Sequence, residues 1–310
     1  MEENLKNLKI GVLMGGKSAE REISLRTGNA VLSALKTSGY NAIGFDLDDS
    51  LHSNLKKIDI CFVALHGTYG EDGRVQGILD LYGIPYTGSG VCSSAIAMDK
   101  LKTRAILDYH GIKTPPFLFA GKKDNFENIL EKLKGIEPPY FIKPNSSGSS
   151  FGCSIVNSLN EDDLLIGLNN AFEYDDTVLI EKYLNGREIQ FAVAFGNPIG
   201  CVEVRPRDSF YSYEAKYTKG KTEYLLNPDL TGEEYRACEE AAVRTHKYLS
   251  CEGVSRTDII LDKDRNAYVL EINTLPGLTE LSLVPMIAKN KGISFTELIE
   301  DILKDAIARK

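Results

Sequence analysis

No stretch of this 310-residue sequence approaches the roughly 20 consecutive apolar residues that a membrane-spanning helix needs. Residues Met1 to Lys9 are polar and no apolar core of signal-peptide length follows them, so a cytoplasmic protein without membrane partners is expected. The six cysteines (Cys61, Cys92, Cys153, Cys201, Cys238 and Cys251) form no C-x-x-C pair, and the four histidines are equally scattered. That spacing argues against a zinc site and leaves six free thiols as the expectation. Positive charge is in the minority: 36 Lys and Arg stand against 44 Asp and Glu, a net charge of −8, which disfavours a general nucleic-acid-binding surface. Repeats and low-complexity tracts are missing as well.

The length exceeds one compact core and suits two or three small domains. The apolar run at 8–14 reads as a buried strand, closed by Gly15-Gly16. A helix is expected from near Ser24 to Gly39, a residue type that suits the position just past a helix end. Strand patterns follow at 41–45 and 58–65, then a helix at 74–82. This alternation predicts an α/β fold, with a parallel sheet covered by helices on both faces.

A helix holding Lys100 to Tyr109 precedes a break at Ile112-Lys113-Thr114-Pro115-Pro116. A smaller α+β segment then runs to about Leu184, with a strand at 140–143 and a helix near 162–172. Strands at 189–195 and 199–205 lead into a polar, aromatic loop over 207–228. Thr231 and Glu234 form a capping box, and Tyr235, Cys238, Ala242, Thr245 and Leu249 recur at helical spacing.

The densest chemistry lies in Arg256-Thr257-Asp258 and Glu271-Ile272-Asn273, joined through the turn-forming residues 262–266. Strand alternation puts Arg256 and Asp258 on one face, and Glu271 and Asn273 on one face, with Ile259, Leu261, Leu270 and Ile272 turned to the core. Two carboxylates and an amide oxygen make a hard-oxygen set of the kind Mg²⁺ takes when it bridges phosphates. A solvated charged hairpin shows the same spacing, and the pattern does not separate the two.

Three loops carry similar ambiguity. Residues 143–152, from Lys143-Pro144 through Gly148-Ser149-Ser150 to Gly152, suit backbone approach to phosphate oxygens, or a plain Ser/Gly connector; no Walker motif is present. His66-Gly67-Thr68-Tyr69-Gly70-Glu71-Asp72-Gly73 follows a strand, where open α/β sheets bind ligands. Gly15 to Glu22 occupies the equivalent place after the first strand, with Glu20 suited either to a substrate ammonium or to the helix dipole. The Gly88-Ser89-Gly90 segment follows no clear strand, which excludes a dinucleotide fingerprint.

Taken in order, these segments resemble the D-alanine–D-alanine ligases of the ATP-grasp superfamily. The resemblance covers nearly the whole chain and includes Met-Asp-Lys at 98–100, Glu-Lys-Tyr-Leu at 181–184, Tyr-Glu-Ala-Lys-Tyr at 213–217, Asn-Thr-Leu-Pro-Gly at 273–277 and Ser-Leu-Val-Pro at 282–285. Thr257 departs from the small apolar residue usual in the family, on the side away from the metal set. The resemblance implies an ATP-grasp fold with an N-terminal parallel-sheet domain over 1–96, a central subdomain over 97–184 and a C-terminal subdomain over 185–310 carrying the metal site and a lid. It implies ATP gripped by Lys100, Lys143, Glu181, the backbone at Lys182 and Leu184, Glu188 and Lys216. Two Mg²⁺ ions, for which Mn²⁺ can substitute, would sit on Asp258, Glu271 and Asn273.

The implied reaction passes through an acyl phosphate, which a second D-alanine amine displaces, for peptidoglycan precursor synthesis. Arg256 and the Gly277 N–H match the oxyanion stabilisers, Glu20 and His66 the first D-alanine site, and Ser282 with Leu283 the second. Ser149 and Tyr217 match groups that fasten the lid to Glu20. Relatives that form an ester with D-lactate carry Phe where this sequence has Tyr217, so a dipeptide product is expected. A homodimer is typical of the family. A relative using D-serine at the second site, and a non-catalytic nucleotide-binding protein, are the rival readings.

Overall fold

Strand β1 (Lys9–Met14) is apolar on both faces, as a strand covered from both sides must be. It lies between β2 (Asn41–Asp46) and β3 (Ile60–Val63), all parallel, in the order β2-β1-β3. A computed structural model describes residues 2–148, 150–206 and 220–309. Ile10, Val12, Ile60 and Phe62 face one apolar cluster, which includes Val31 and Leu35 of helix Arg21–Thr37 and Leu298 to Ala306 of helix Phe295–Ala308. Leu13, Cys61 and Val63 face the other side, against Val75 and Leu79 of helix Arg74–Leu81.

A second sheet, β4-β7-β5-β6, is built from β4 (Phe117–Gly121), β5 (Tyr140–Pro144), β6 (Ser154–Val156) and β7 (Thr177–Lys182), all pairs antiparallel. Helix Glu161–Phe172 covers one face through Leu164, Leu168 and Ala171. A third antiparallel sheet runs β10-β9-β8-β11-β12, from β8 (Arg187–Ala194), β9 (Asn197–Pro206), β10 (Thr222–Leu226), β11 (Val254–Leu261) and β12 (Ala267–Asn273). Helix Gly232–Tyr248 packs Cys238, Ala241 and Ala242 beneath it.

The capping box of Thr231 and Glu234 is formed in both directions, and helix Lys100–Tyr109 has the expected bounds. The first helix differs from its expected start. It begins at Arg21, and Ser24 lies within it, buried, with its hydroxyl donating to Ala64 O and accepting from Gly15 N. Those two bonds tie both glycine loops to one helix face, a use the cap preference of serine does not reveal. Part of the expected loop over 207–228 is strand β10, while 207–219 lie outside the described residues. The cysteines are free, as expected. No described helix is long and apolar enough to cross a membrane.

The hairpin β11/β12 corrects one expected face. Asp258 pairs with Glu271, but Ile259 pairs with Val269, so Leu270 is an extra residue in a β-bulge. Val269 therefore enters the core, while Leu270 and Glu271 both line a cavity. Thr257 is fully buried, away from the cavities, as its strand parity requires.

Beneath the same sheet, His246 lies buried with Nδ1 2.7 Å from Ser255 Oγ, and burial pulls its pKa from 6.5 down to about 4. As pH falls from about 6.5 to 4, the unfolded chain takes up a proton that the native histidine refuses. Stability present above that window is thus lost across it, by on the order of 3 kcal/mol. Urea unfolding from pH 7 to 4 should show His246→Gln losing less stability than wild type by about that amount.

Candidate active site

Between the second and third sheets lies a cavity of about 410 Å³, lined by Lys100, Lys143, Glu181, Glu188, Ile260 and Leu270 among others. Near the end of strand β5, Lys143 Nζ donates to Glu181 Oε1 of neighbouring β7 at 2.8 Å. The other Glu181 oxygen accepts from Arg104 Nη2 at 2.6 Å. Lys143, Glu181 and Arg104 are all buried, so each charge is answered by hydrogen bonds rather than water.

The Lys182 N–H donates to Pro116 O at 2.8 Å. Glu188 takes a hydrogen bond from Gln190 at 3.1 Å. At the far rim Glu203 sits between Arg187 and Arg205, at 2.5 and 2.8 Å. Burial pushes its carboxyl up, but the two guanidinium hydrogen bonds prevail and hold it below the usual range.

A second cavity, of about 730 Å³, opens between the N-terminal sheet and the hairpin, and is lined by Glu20, His66, Arg256, Asn273, Gly277, Ser282 and Leu283 among others. Both cavities share Lys100, Ser147 and Glu271 as wall residues. Lys100 is buried at the start of its helix, donates to Ser147 O at 2.9 Å and stands 3.8 Å from Glu271. Burial lowers its pKa, against the pull of Glu271.

His66 is held by Thr27 (Nε2 to Oγ1, 2.9 Å) and Glu71 (Nδ1 to Oε1, 3.4 Å). Glu20 occupies the cap position of helix Arg21–Thr37, yet its side chain makes no cap bond. Its carboxylate lies against Gly67 and Gly148. Ser282 precedes helix Leu283–Asn290, and its hydroxyl bonds Thr279. The first N–H groups of that helix form a ready anion seat.

Arg256 grips both oxygens of Asp258, at 2.7 and 2.9 Å. Asn273 Oδ1 accepts from Leu275 N at 2.9 Å. Among the described residues no group of three or more His, Cys, Asp or Glu is placed to hold a metal. The remaining donor set, Asp258 opposite Glu271 with Asn273 on the same strand, consists of hard oxygens at the junction of the cavities, and it fits Mg²⁺ bound in part through phosphate and water. Ser149, Lys216 and Tyr217 lie outside the described residues.

Arg104 was not singled out by any motif. Its signal was periodicity: Lys100, Thr103, Arg104 and Leu107 form the buried stripe of their helix, and two cations there are unusual. The Gly88 segment proves to be a joint. Ser89 and Ser93 bond the backbone of residues 249–252, and a Cβ at Gly88 would stand 2.7 Å from Leu275 Cδ2.

Comparison with known proteins follows the same lines. The profile described as "D-ala D-ala ligase C-terminus" matches residues 106–304, and "D-ala D-ala ligase N-terminus" matches 46–89. A D-alanine–D-alanine ligase of Syntrophotalea carbinolica is 45% identical over 312 residues, covering 99% of each chain. The crystal structure of such a ligase from Bacillus anthracis, complexed with ATP, superposes with a TM-score of 0.85 at 36% identity, covering 97% of this chain and 98% of that one. The VanG D-Ala:D-Ser ligase of Enterococcus faecalis gives 0.85 at 29% identity, covering 97% and 99%.

Proposed function

Because this chain belongs to the D-alanine–D-alanine ligase family, an ATP-dependent enzyme of peptidoglycan precursor synthesis, we propose that its two cavities divide the nucleotide from the amino acids. The observation that carries this division is the common wall of Lys100, Ser147 and Glu271, since a phosphoryl group must pass where the cavities meet. We divide the chain into domains over 1–96, 97–184 and 185–310, each holding one of the three sheets, with helix Phe295–Ala308 of the last packing in the cluster of the first sheet.

The family uses ATP with Mg²⁺, and Asp258, Glu271 and Asn273 would hold two ions. When bound, these offset the negative charge of the phosphates. Glu181, the Lys182 and Leu184 backbone and Glu188 take the adenine and ribose, between the apolar walls Ile260 and Leu270. Lys100, Lys143 and the loop residue Lys216 take the phosphates. Lys143 does so while paired to Glu181.

Glu20 holds the ammonium of the first D-alanine, beside His66. The carboxylate oxygen of that D-alanine attacks the γ-phosphorus of ATP, ADP leaves, and the D-alanine carboxyl carbon gains a leaving group far better than hydroxide. Ser282 and the Leu283 N–H hold the carboxylate of the second D-alanine, whose neutral amine attacks that carbon and expels phosphate, which leaves with the proton the amine gives up. Arg256 and the Gly277 N–H stabilise the charge on the tetrahedral oxygen. Ser149 and Tyr217, outside the described residues, are assigned to act with Glu20 by resemblance alone. The enzyme acts as a cytoplasmic homodimer.

The testing experiment follows phosphate release with Mg-ATP and D-alanine, with L-alanine as control and products identified by mass. A D-alanyl-D-alanine mass absent with L-alanine is expected; turnover without that dipeptide would move the second substrate to D-serine or another amino acid. Gly67→Ala should raise the KM for D-alanine. Gly67 has φ +67°, and a Cβ there would stand 2.4 Å from Glu20 Oε2, in a backbone region that costs alanine about 1–2 kcal/mol. An unchanged KM would remove Glu20 from the first site. Tyr217→Phe should loosen the lid and raise D-lactate incorporation at neutral pH, and no gain in ester product would count against that role.

A further inference from the structure

We infer that Arg104 is a positioning residue for the ligation: it grips the bulge of β12 and so fixes where Glu271 stands between the two cavities. β12 is the edge of its sheet, so its outward carbonyls have no strand partner. Arg104 supplies one, donating from Nη1 to Val269 O at 2.8 Å and from Nη2 to Leu270 O at 3.1 Å. Those carbonyls belong to the extra residue of the bulge and the residue before it. Beside it on the same edge, Lys113 O accepts from Val269 N at 2.9 Å. Without the bulge, Leu270 would turn to the core and Val269 to the cavity, because one residue of slip exchanges the faces of a strand.

An arginine only 1% exposed is an expensive way to fill a helix–sheet contact that leucine would fill as well. What leucine lacks is the fork that holds two successive carbonyls and a carboxylate at once. The same helix places Lys100 one turn earlier, 3.8 Å from the Glu271 side chain. One helix thus fixes both the backbone before Glu271 and the charge opposite it. Through Glu181 the same guanidinium joins Lys143, so the nucleotide seat and Glu271 are set by one buried network. This inference rests on the reading of Glu271 as a metal ligand. Residues that orient a ligand without touching the metal typically govern its affinity by about 10–100-fold.

The test measures Mn²⁺ binding by electron paramagnetic resonance, with a non-hydrolysable ATP analogue, beside kcat and KM with Mg-ATP and D-alanine. The variants are Arg104→Met, Arg104→Lys and, as reference, Glu271→Gln. Arg104→Met is expected to weaken Mn²⁺ binding and lower kcat by about 10–100-fold, with the KM for D-alanine unchanged. Arg104→Lys, which keeps the charge but reaches fewer partners, should fall between Met and wild type. A folded Arg104→Met that loses only thermal stability, with wild-type Mn²⁺ affinity and kcat, would overturn the inference while Glu271→Gln still weakens the metal. Wild-type Mn²⁺ affinity in Glu271→Gln would instead overturn the site reading beneath it. If Arg104→Met fails to fold, Arg104→Lys decides: weakened Mn²⁺ binding supports the role, and wild-type behaviour ends it.

Discussion

Glu181→Leu is expected to remove about 3–5 kcal/mol of folding free energy, because it leaves two nearly buried cations without their counter-charge. The Lys143 and Arg104 side chains are 6% and 1% exposed, and Glu181 is their shared counter-charge. Leucine fits the space but answers neither charge. Urea unfolding at neutral pH measures the loss. Replacing all three charges together, with Lys143→Met, Glu181→Leu and Arg104→Met, should recover most of it, since a well-packed apolar set of similar volume is often no worse than a buried ion network. Nucleotide binding should not recover with it. A neutral effect of Glu181→Leu alone would mean that the three charges are not coupled in solution.

Arg256→Ala is expected to lower kcat by about 10²–10³ while leaving the KM for ATP close to wild type. Arg256 lines the larger cavity, as Gly277 does, and is held in place by its two-point grip on Asp258. A group already oriented in the resting enzyme needs no reorganisation when charge develops on the carbonyl oxygen, and this is the source of so large a factor. Arg256→Lys should rescue little, because a point charge cannot keep two bonds to Asp258 and still present a donor to the oxyanion. Single-turnover measurement of dipeptide formation separates this step from product release. A loss of less than about tenfold, or 1.4 kcal/mol in barrier, would remove Arg256 from that step.

The sequence makes legible those parts of the protein whose physics is local. The strand at 8–14, the capping box at Thr231 and Glu234, and the shared face of Arg256 and Asp258 follow from alternation and capping alone, and the structure contains them. Leu270 defeats the same reasoning, because a bulge changes strand parity at one residue and leaves no composition signal in an apolar run. The short strands β4, β6 and β10 were also hidden: with three to five residues each, they take their form from the neighbours they pair with. Arg104 was visible as a charge on a buried stripe, but its partners Glu181, Val269 and Leu270 lie far along the chain, and only the assembled sheets bring them together. The two-cavity arrangement is likewise tertiary, since its common wall comes from a helix start, a loop and a hairpin strand.

On the ribosome, Ile10, Val12, Val31 and Leu35 emerge early, and Leu298, Ile299, Ile302 and Leu303 emerge late, yet all settle in one apolar cluster. At about 5–20 residues per second, the first sheet and helix Arg21–Thr37 spend most of the synthesis without the C-terminal side chains that complete their cluster. Translation order therefore runs against burial order. The nascent N-terminal layer should be a client for chaperones that shield hydrophobic surface until the last helix arrives to cover it.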